Sequence, residues 1–151
     1  MKDGKFVITF VCTGNTCRSP MAEFVFKNMV EKLGRGDKFY IASAATSYEE
    51  IGNPVHRGTK KILDNLGISC RDKRAVHLER SDYDKYDYLI CMDGANVRNT
   101  IRIVGNDEKV FKLEELLVEG TKVEVPITFD YPTENGVVPV SAIIRPISSL
   151  E

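Results

Sequence analysis

Histidine, cysteine and long apolar runs are all scarce in this chain, and each scarcity removes a class of function. The two histidines (His56 and His77) and four cysteines (Cys12, Cys17, Cys70 and Cys91) lack the paired spacing of a zinc-ligand set, so no metal site is expected. Cys70 and Cys91 read as packing residues. No apolar run approaches the length of a membrane span, and no charged, apolar and small-residue leader is visible. The expectation is a cytoplasmic chain with no membrane partner. An excess of one charge sign is missing too: 21 Lys and Arg face 22 Asp and Glu, dispersed, for a net charge of −1. That balance leaves no nucleic-acid footprint. Repeats and low-complexity tracts are absent, and 151 residues suit one domain over 1–151 that buries about two thirds of its unfolded surface.

What is present is concentrated in Val11-Cys12-Thr13-Gly14-Asn15-Thr16-Cys17-Arg18-Ser19-Pro20. Lys5 to Val11 is rich in Phe, Val and Ile without a helical period, as suits a strand buried on both faces of a parallel sheet. Pro20 fits the first turn of a helix, and Met21, Phe24, Val25, Met29 and Leu33 follow at spacings of three and four before Gly34. The intervening loop joins a strand's carboxyl end to a helix's amino end. Backbone N–H groups converge in such a turn and the helix dipole adds positive potential, so a phosphate dianion is its natural occupant. Gly14 is expected to let the backbone turn without a Cβ clash. Arg18 offers a planar fork for two phosphate oxygens. The phosphate-binding set is therefore Thr13, Gly14, Asn15, Thr16, Cys17, Arg18 and Ser19. Cys12 opens the ring of donors and faces the same field, which favours its thiolate, and the Ser19 hydroxyl can donate to that sulfur. A soft anion beneath a phosphate cradle implies nucleophilic attack at phosphorus.

Further along, Lys38 to Ala44 reads as a second strand, and a helical pattern after Pro54 runs through Ile62, Leu63 and Leu66 to Gly67. Tyr86 to Met92 reads as a third strand, Ala95 to Val104 as a helix, and Lys109 to Leu113 as a fourth strand running into 114–118. The alternation implies an α/β fold: a four-stranded parallel sheet flanked by helices on both faces, with the phosphate loop after the first strand and ligands at the strands' carboxyl ends.

The loop, with the Met21-Ala22-Glu23 that follows it, resembles the phosphate loop of the low-molecular-weight protein tyrosine phosphatases. Ser43-Ala44-Ala45-Thr46, Arg74-Ala75, and Tyr86 to Asp93 with Asn96 also follow that family's order and spacing, over about residues 5 to 117. The resemblance implies hydrolysis of phosphotyrosine through a phosphocysteine, with Cys12 as nucleophile, no metal or organic cofactor, phosphorylated proteins or small phosphomonoesters as substrates, and inorganic phosphate or another oxyanion in the cradle. It also implies a reversible Cys12–Cys17 disulfide under oxidation; a small residue filling the loop's underside accounts for Cys17 equally well. The family places an aromatic near Tyr48 against the substrate ring, so Tyr48 is the candidate wall. Asp93 and Asn96 read as supports for the rim, and helix capping explains Asp93 as well.

Two features depart from the family. Its general acid is an aspartate followed by proline, and no Asp-Pro occurs here; Asp130, in Asp130-Tyr131-Pro132, is the candidate. Its closing amphipathic helix is also missing from an atypical tail of about 119–151: Lys122 to Phe129 alternates like a strand, and Pro139 and Pro146 would break a helix. Thr13 adds an alternative, because a related group that removes phosphate from arginine carries threonine here. A phosphate-binding module or an enzyme impaired by loss of the acid is the remaining reading.

Overall fold

The computed structural model describes residues 4–32, 34 and 36–113, and the backbone of 125–126 and 137–138. Four parallel strands, β1 (Phe6–Cys12), β2 (Phe39–Ala45), β3 (Tyr88–Cys91) and β4 (Val110–Lys112), form one sheet in the order β2-β1-β3-β4. Helices α1 (Arg18–Lys32), α2 (Arg57–Asn65), α3 (Asp82–Lys85) and α4 (Gly94–Val104) alternate with them. This is the α/β architecture expected.

Every residue of β1 is buried, and its two faces explain the lack of polar alternation. Phe6, Ile8, Phe10 and Cys12 pack on one side with Met21, Val25 and Phe26 of α1 and Leu63 of α2. Val7 and Val11 pack on the other with Leu78, Leu89 and Val104 of α4. Phe26 meets Phe10 and Phe39 edge-on, with ring centroids 5.8 and 5.6 Å away. Each such aromatic pair adds about 0.5–1.5 kcal/mol beyond burial. Because β1 lies between β2 and β3, the order reverses beside it, and the crevice of an open α/β sheet forms at its carboxyl end. Cys12 occupies that end.

Boundaries shift slightly from the sequence reading. α1 begins at Arg18, where Met21 N–H donates to Cys17 O at 3.1 Å, so Pro20 is its third residue and its missing N–H has no intrahelical acceptor to lose. α2 opens where His56 Nδ1 accepts from Gly58 N–H at 3.1 Å and closes before Gly67, whose φ is 74°. The four-residue α3 and a 3-10 turn at Gly36–Lys38 escaped the pattern analysis, being too short to carry a period. Backbone segments β5 (Val125–Pro126) and β6 (Val137–Val138) pair antiparallel, in keeping with the extended character read into the tail. The continuation at 114–118, Asp130 and the rest of the tail lie outside the described residues.

Candidate active site

The loop from Cys12 to Arg18 is held from outside by its carbonyl groups. Cys12 O accepts from Thr46 N–H at 3.0 Å, Thr13 O from Ser47 N–H at 3.1 Å, Thr16 O from His56 N–H at 2.8 Å, and Cys17 O from Met21 N–H. The C=O and N–H of one planar peptide unit point in opposite directions, so the N–H groups of Gly14, Cys17 and Arg18 face away from that scaffold. The N–H of Asn15 points at the Cys12 sulfur, with N···Sγ of 3.2 Å.

Asn15 makes the turn. Its φ of 57° is the one left-handed value at a non-glycine residue among those described, and asparagine tolerates it better than most. Gly14 contributes space rather than a left-handed φ: a Cβ there would come within 3.3 Å of Glu50 Cγ. What glycine permits is the close approach of the 48–52 loop. The Asn15 side chain donates from Nδ2 to Ser19 Oγ and to Ser43 Oγ, both at 2.9 Å, while its Oδ1 accepts from Val76 N–H at 3.0 Å.

This network orients a proton. Ser43 Oγ donates to the buried Glu23 carboxylate, so toward Asn15 it can only accept. Ser19 Oγ likewise accepts from Asn15, which leaves its hydrogen for Cys12 Sγ at 2.9 Å. Glu23 also receives Lys27 Nζ at 2.6 Å and has Lys73 Nζ at 3.7 Å; Lys73 donates to Ser43 O at 3.0 Å. Burial pushes the Lys73 ammonium below the ordinary lysine range, with Glu23 opposing that shift. A chain of polar groups thus runs from two lysines to the Cys12 sulfur.

On the opposite rim Arg18 Nη1 meets Asp93 Oδ2 at 2.7 Å. Asp93 Oδ1 accepts from Asn96 N–H at 2.8 Å and caps α4, so both functions read into Asp93 hold at once. Partial burial works to raise the Asp93 carboxyl, but the Arg18 guanidinium and the Asn96 N–H outweigh it and hold the group below its usual range. The buried Asn96 amide is satisfied with its oxygen accepting from the Thr13 hydroxyl at 3.1 Å and from Thr13 N–H at 3.2 Å, and its nitrogen donating to Asp93 Oδ1. Thr13 is therefore fastened to the start of α4.

Tyr48 lies on the loop that Ser47 ties to Thr13, is 73% exposed, and stacks on His77 with ring centroids 3.7 Å apart and planes 3° apart. Cys12, Thr13, Asn15, Thr16, Cys17, Arg18 and Ser19 are gathered in the loop and first turn, and none of the four cysteines forms a disulfide. Asp130 lies outside the described residues. Sequence reasoning gave no role to Glu23, Ser43, Lys73 or His77. The one available signal was an acid inside the apolar stretch that opens α1. Among the described residues no helix is long and apolar enough to cross a membrane.

Beyond the fold and this loop, comparison with known proteins points the same way. The family profile described as low molecular weight phosphotyrosine protein phosphatase matches residues 7–134. The chain is 36% identical over 121 residues to the low molecular weight protein-tyrosine-phosphatase YfkJ of Bacillus subtilis (strain 168), across 79% of this chain and 78% of the relative. It is 39% identical over 106 residues to the low molecular weight phosphotyrosine protein phosphatase of Rattus norvegicus, across 66% of this chain and 62% of the relative. The crystal structure of the Bacillus subtilis protein superposes with a TM-score of 0.84 at 29% identity, covering 100% of this chain and 99% of that one. The chain belongs to the low molecular weight phosphotyrosine protein phosphatase family. With it, the chain falls among the protein-tyrosine-phosphatases, cysteine-dependent hydrolases.

Proposed function

We propose that Cys12 hydrolyses phosphotyrosine by two-step displacement through a phosphocysteine. The observation that carries this reading is the convergence of the Ser19 hydroxyl and the Asn15 N–H on one sulfur at the base of a strand-to-helix loop. The thiolate attacks phosphorus in line, and the S–P bond forms as the P–O bond to the phenol breaks. Arg18 and the loop N–H groups that face away from the scaffold, those of Gly14, Cys17 and Arg18 among them, take the charge of the equatorial oxygens. Asp130 is the proposed acid: it gives its proton to the leaving phenolate, then takes one from the water that releases inorganic phosphate and restores the thiolate. The positive potential that a metal would supply elsewhere comes here from a guanidinium and a helix end, so the reaction needs no cofactor. Phosphorylated proteins or small phosphomonoesters are the substrates, the setting is the cytoplasm, and a Cys12–Cys17 disulfide is the reversible oxidised form.

Cys12→Ser should abolish turnover of an aryl phosphate while vanadate and phosphate still bind, measured by steady-state kinetics and calorimetry. Retained turnover would remove the covalent route. The Thr13 hydroxyl lies against Asn96, and Tyr48 on the neighbouring loop presents an exposed ring as a stacking face for a phenol. Phosphotyrosine peptides should accordingly be cleaved faster than phosphoarginine peptides of the same sequence, and the reverse order would move the assignment to an arginine phosphatase.

A further inference from the structure

We propose that His77 is a positioning residue for substrate specificity, its ring being the platform that holds Tyr48 as the aromatic wall beside the cradle. The proposal rests on the reading that Tyr48 meets the substrate ring.

An exposed tyrosine in Ser47-Tyr48-Glu49-Glu50 has rotamers to lose whenever a ligand fixes it, and that ordering weakens binding. Here the ordering is done in advance. The Tyr48 ring lies parallel to His77 at 3.7 Å, one face covered, while its 73% exposure leaves the other open to a second ring. His77 is itself fixed. Its backbone bridges Ala45 in parallel, with Ala45 N–H donating to Val76 O at 2.7 Å and Leu78 N–H to Ala45 O at 2.8 Å. Its Nε2 lies 3.2 Å from Thr46 O, and because a carbonyl only accepts, Nε2 carries the proton and donates. The side chain is 9% exposed.

Wall and cradle share one frame. Thr46 gives its N–H to Cys12 O and its carbonyl to His77, and Val76, next to the platform, gives its N–H to Asn15 Oδ1. The distance from nucleophile to wall is therefore set by short backbone links. An aryl phosphate gains from a fixed stacking face; an alkyl phosphate does not.

Steady-state kinetics on phosphotyrosine and on an alkyl phosphate, with inhibition by inorganic phosphate, test this in the full chain. His77→Ala is expected to raise KM for phosphotyrosine about two- to tenfold, with kcat and the phosphate inhibition constant held and alkyl phosphate unaffected. His77→Phe should restore KM to within about twofold, since a stacking face returns without the hydrogen bond. Should alanine fail to fold, His77→Gln keeps a donor for Thr46 but no ring, and the same rise in KM is expected. Tyr48→Ala should give a similar rise that His77→Ala does not add to. If Tyr48→Ala raises KM and the His77 variants do not, the platform is overturned and the wall stands. If neither raises it, the reading of Tyr48 fails as well. A loss of kcat and phosphate affinity that phenylalanine does not rescue would assign His77 to support of the loop and overturn the proposal.

Discussion

Ser19 shows how much of the chemistry depends on where one hydrogen points. Its oxygen is occupied by Asn15 Nδ2, which is fixed by Ser43 and, beyond it, Glu23, so its hydroxyl is left to serve Cys12 Sγ. Hydrogen bonds to charged groups are worth about 1.5–3 kcal/mol, which converts to about ten- to a hundredfold in rate. Ser19→Ala should lower kcat by that factor and slow alkylation of Cys12 by iodoacetate in parallel. Slower turnover with unchanged alkylation would separate Ser19 from activation of the sulfur. Asn15 is the residue with least latitude: it is buried, left-handed, and bonded through both side-chain heteroatoms.

At the scale of elements, Asp93 joins a helix to Arg18 of the loop. One carboxylate oxygen caps α4 and the other meets Arg18, so the two roles can be separated by substitution. Asp93→Asn keeps an N-cap but loses the charged partner of Arg18 and should lower kcat/KM; Asp93→Ala loses both, and the missing cap should cost it about 1 kcal/mol more of unfolding free energy than asparagine does. The pH dependence has a definite sign. A carboxyl held below its usual value in the fold stabilises fully above the unfolded value and loses that stabilisation as pH falls through the lower folded one. The stability gap between wild type and Asp93→Asn, followed by urea denaturation, should therefore be constant near neutrality and close only below about pH 4. A gap that persists in acid would place the cost outside the ionised carboxylate.

Elements with a strong period were readable from the sequence. The apolar run Phe6 to Val11, the apolar spacing from Met21 and the stops at Gly34 and Gly67 correspond to β1, α1 and α2 within a few residues. The cradle was readable because its residues are consecutive. What pattern could not supply are contacts made across the chain: Glu23 to Ser43, Lys73 to Ser43, His77 to Tyr48. His77 looks like any lone histidine until the parallel bridge to Ala45 places its ring under Tyr48. That Asn15 and not Gly14 takes the positive φ was likewise not legible from two adjacent turn-forming residues.

For the molecule as a whole, the cradle is where separate parts of the chain are tied together. The end of β2, the entry to α2 and α1 itself each bond a loop carbonyl, while the 74–78 segment bonds Asn15. A ligand that binds this assembled site and not the unfolded chain must stabilise the entire fold by mass action. Vanadate at a hundred times its dissociation constant should raise the unfolding free energy by about 2.7 kcal/mol, and Arg18→Ala should remove most of that gain at the same concentration. A melting temperature indifferent to vanadate in the wild type would mean the site is not complete in this fold.

Cys12 is also the last rung of the β1–β2 ladder, in register with Ala45, and its carbonyl receives the Thr46 amide. Fraying of that rung would loosen the sulfur, the start of the rim loop and the histidine bridge together, because Thr46 bonds Cys12 while leading into the loop and Ala45, one residue earlier, carries the bridge to His77. The Thr46 amide proton is consequently a spectroscopic reporter of catalytic competence, and its exchange with solvent measures how often the enzyme is momentarily not an enzyme.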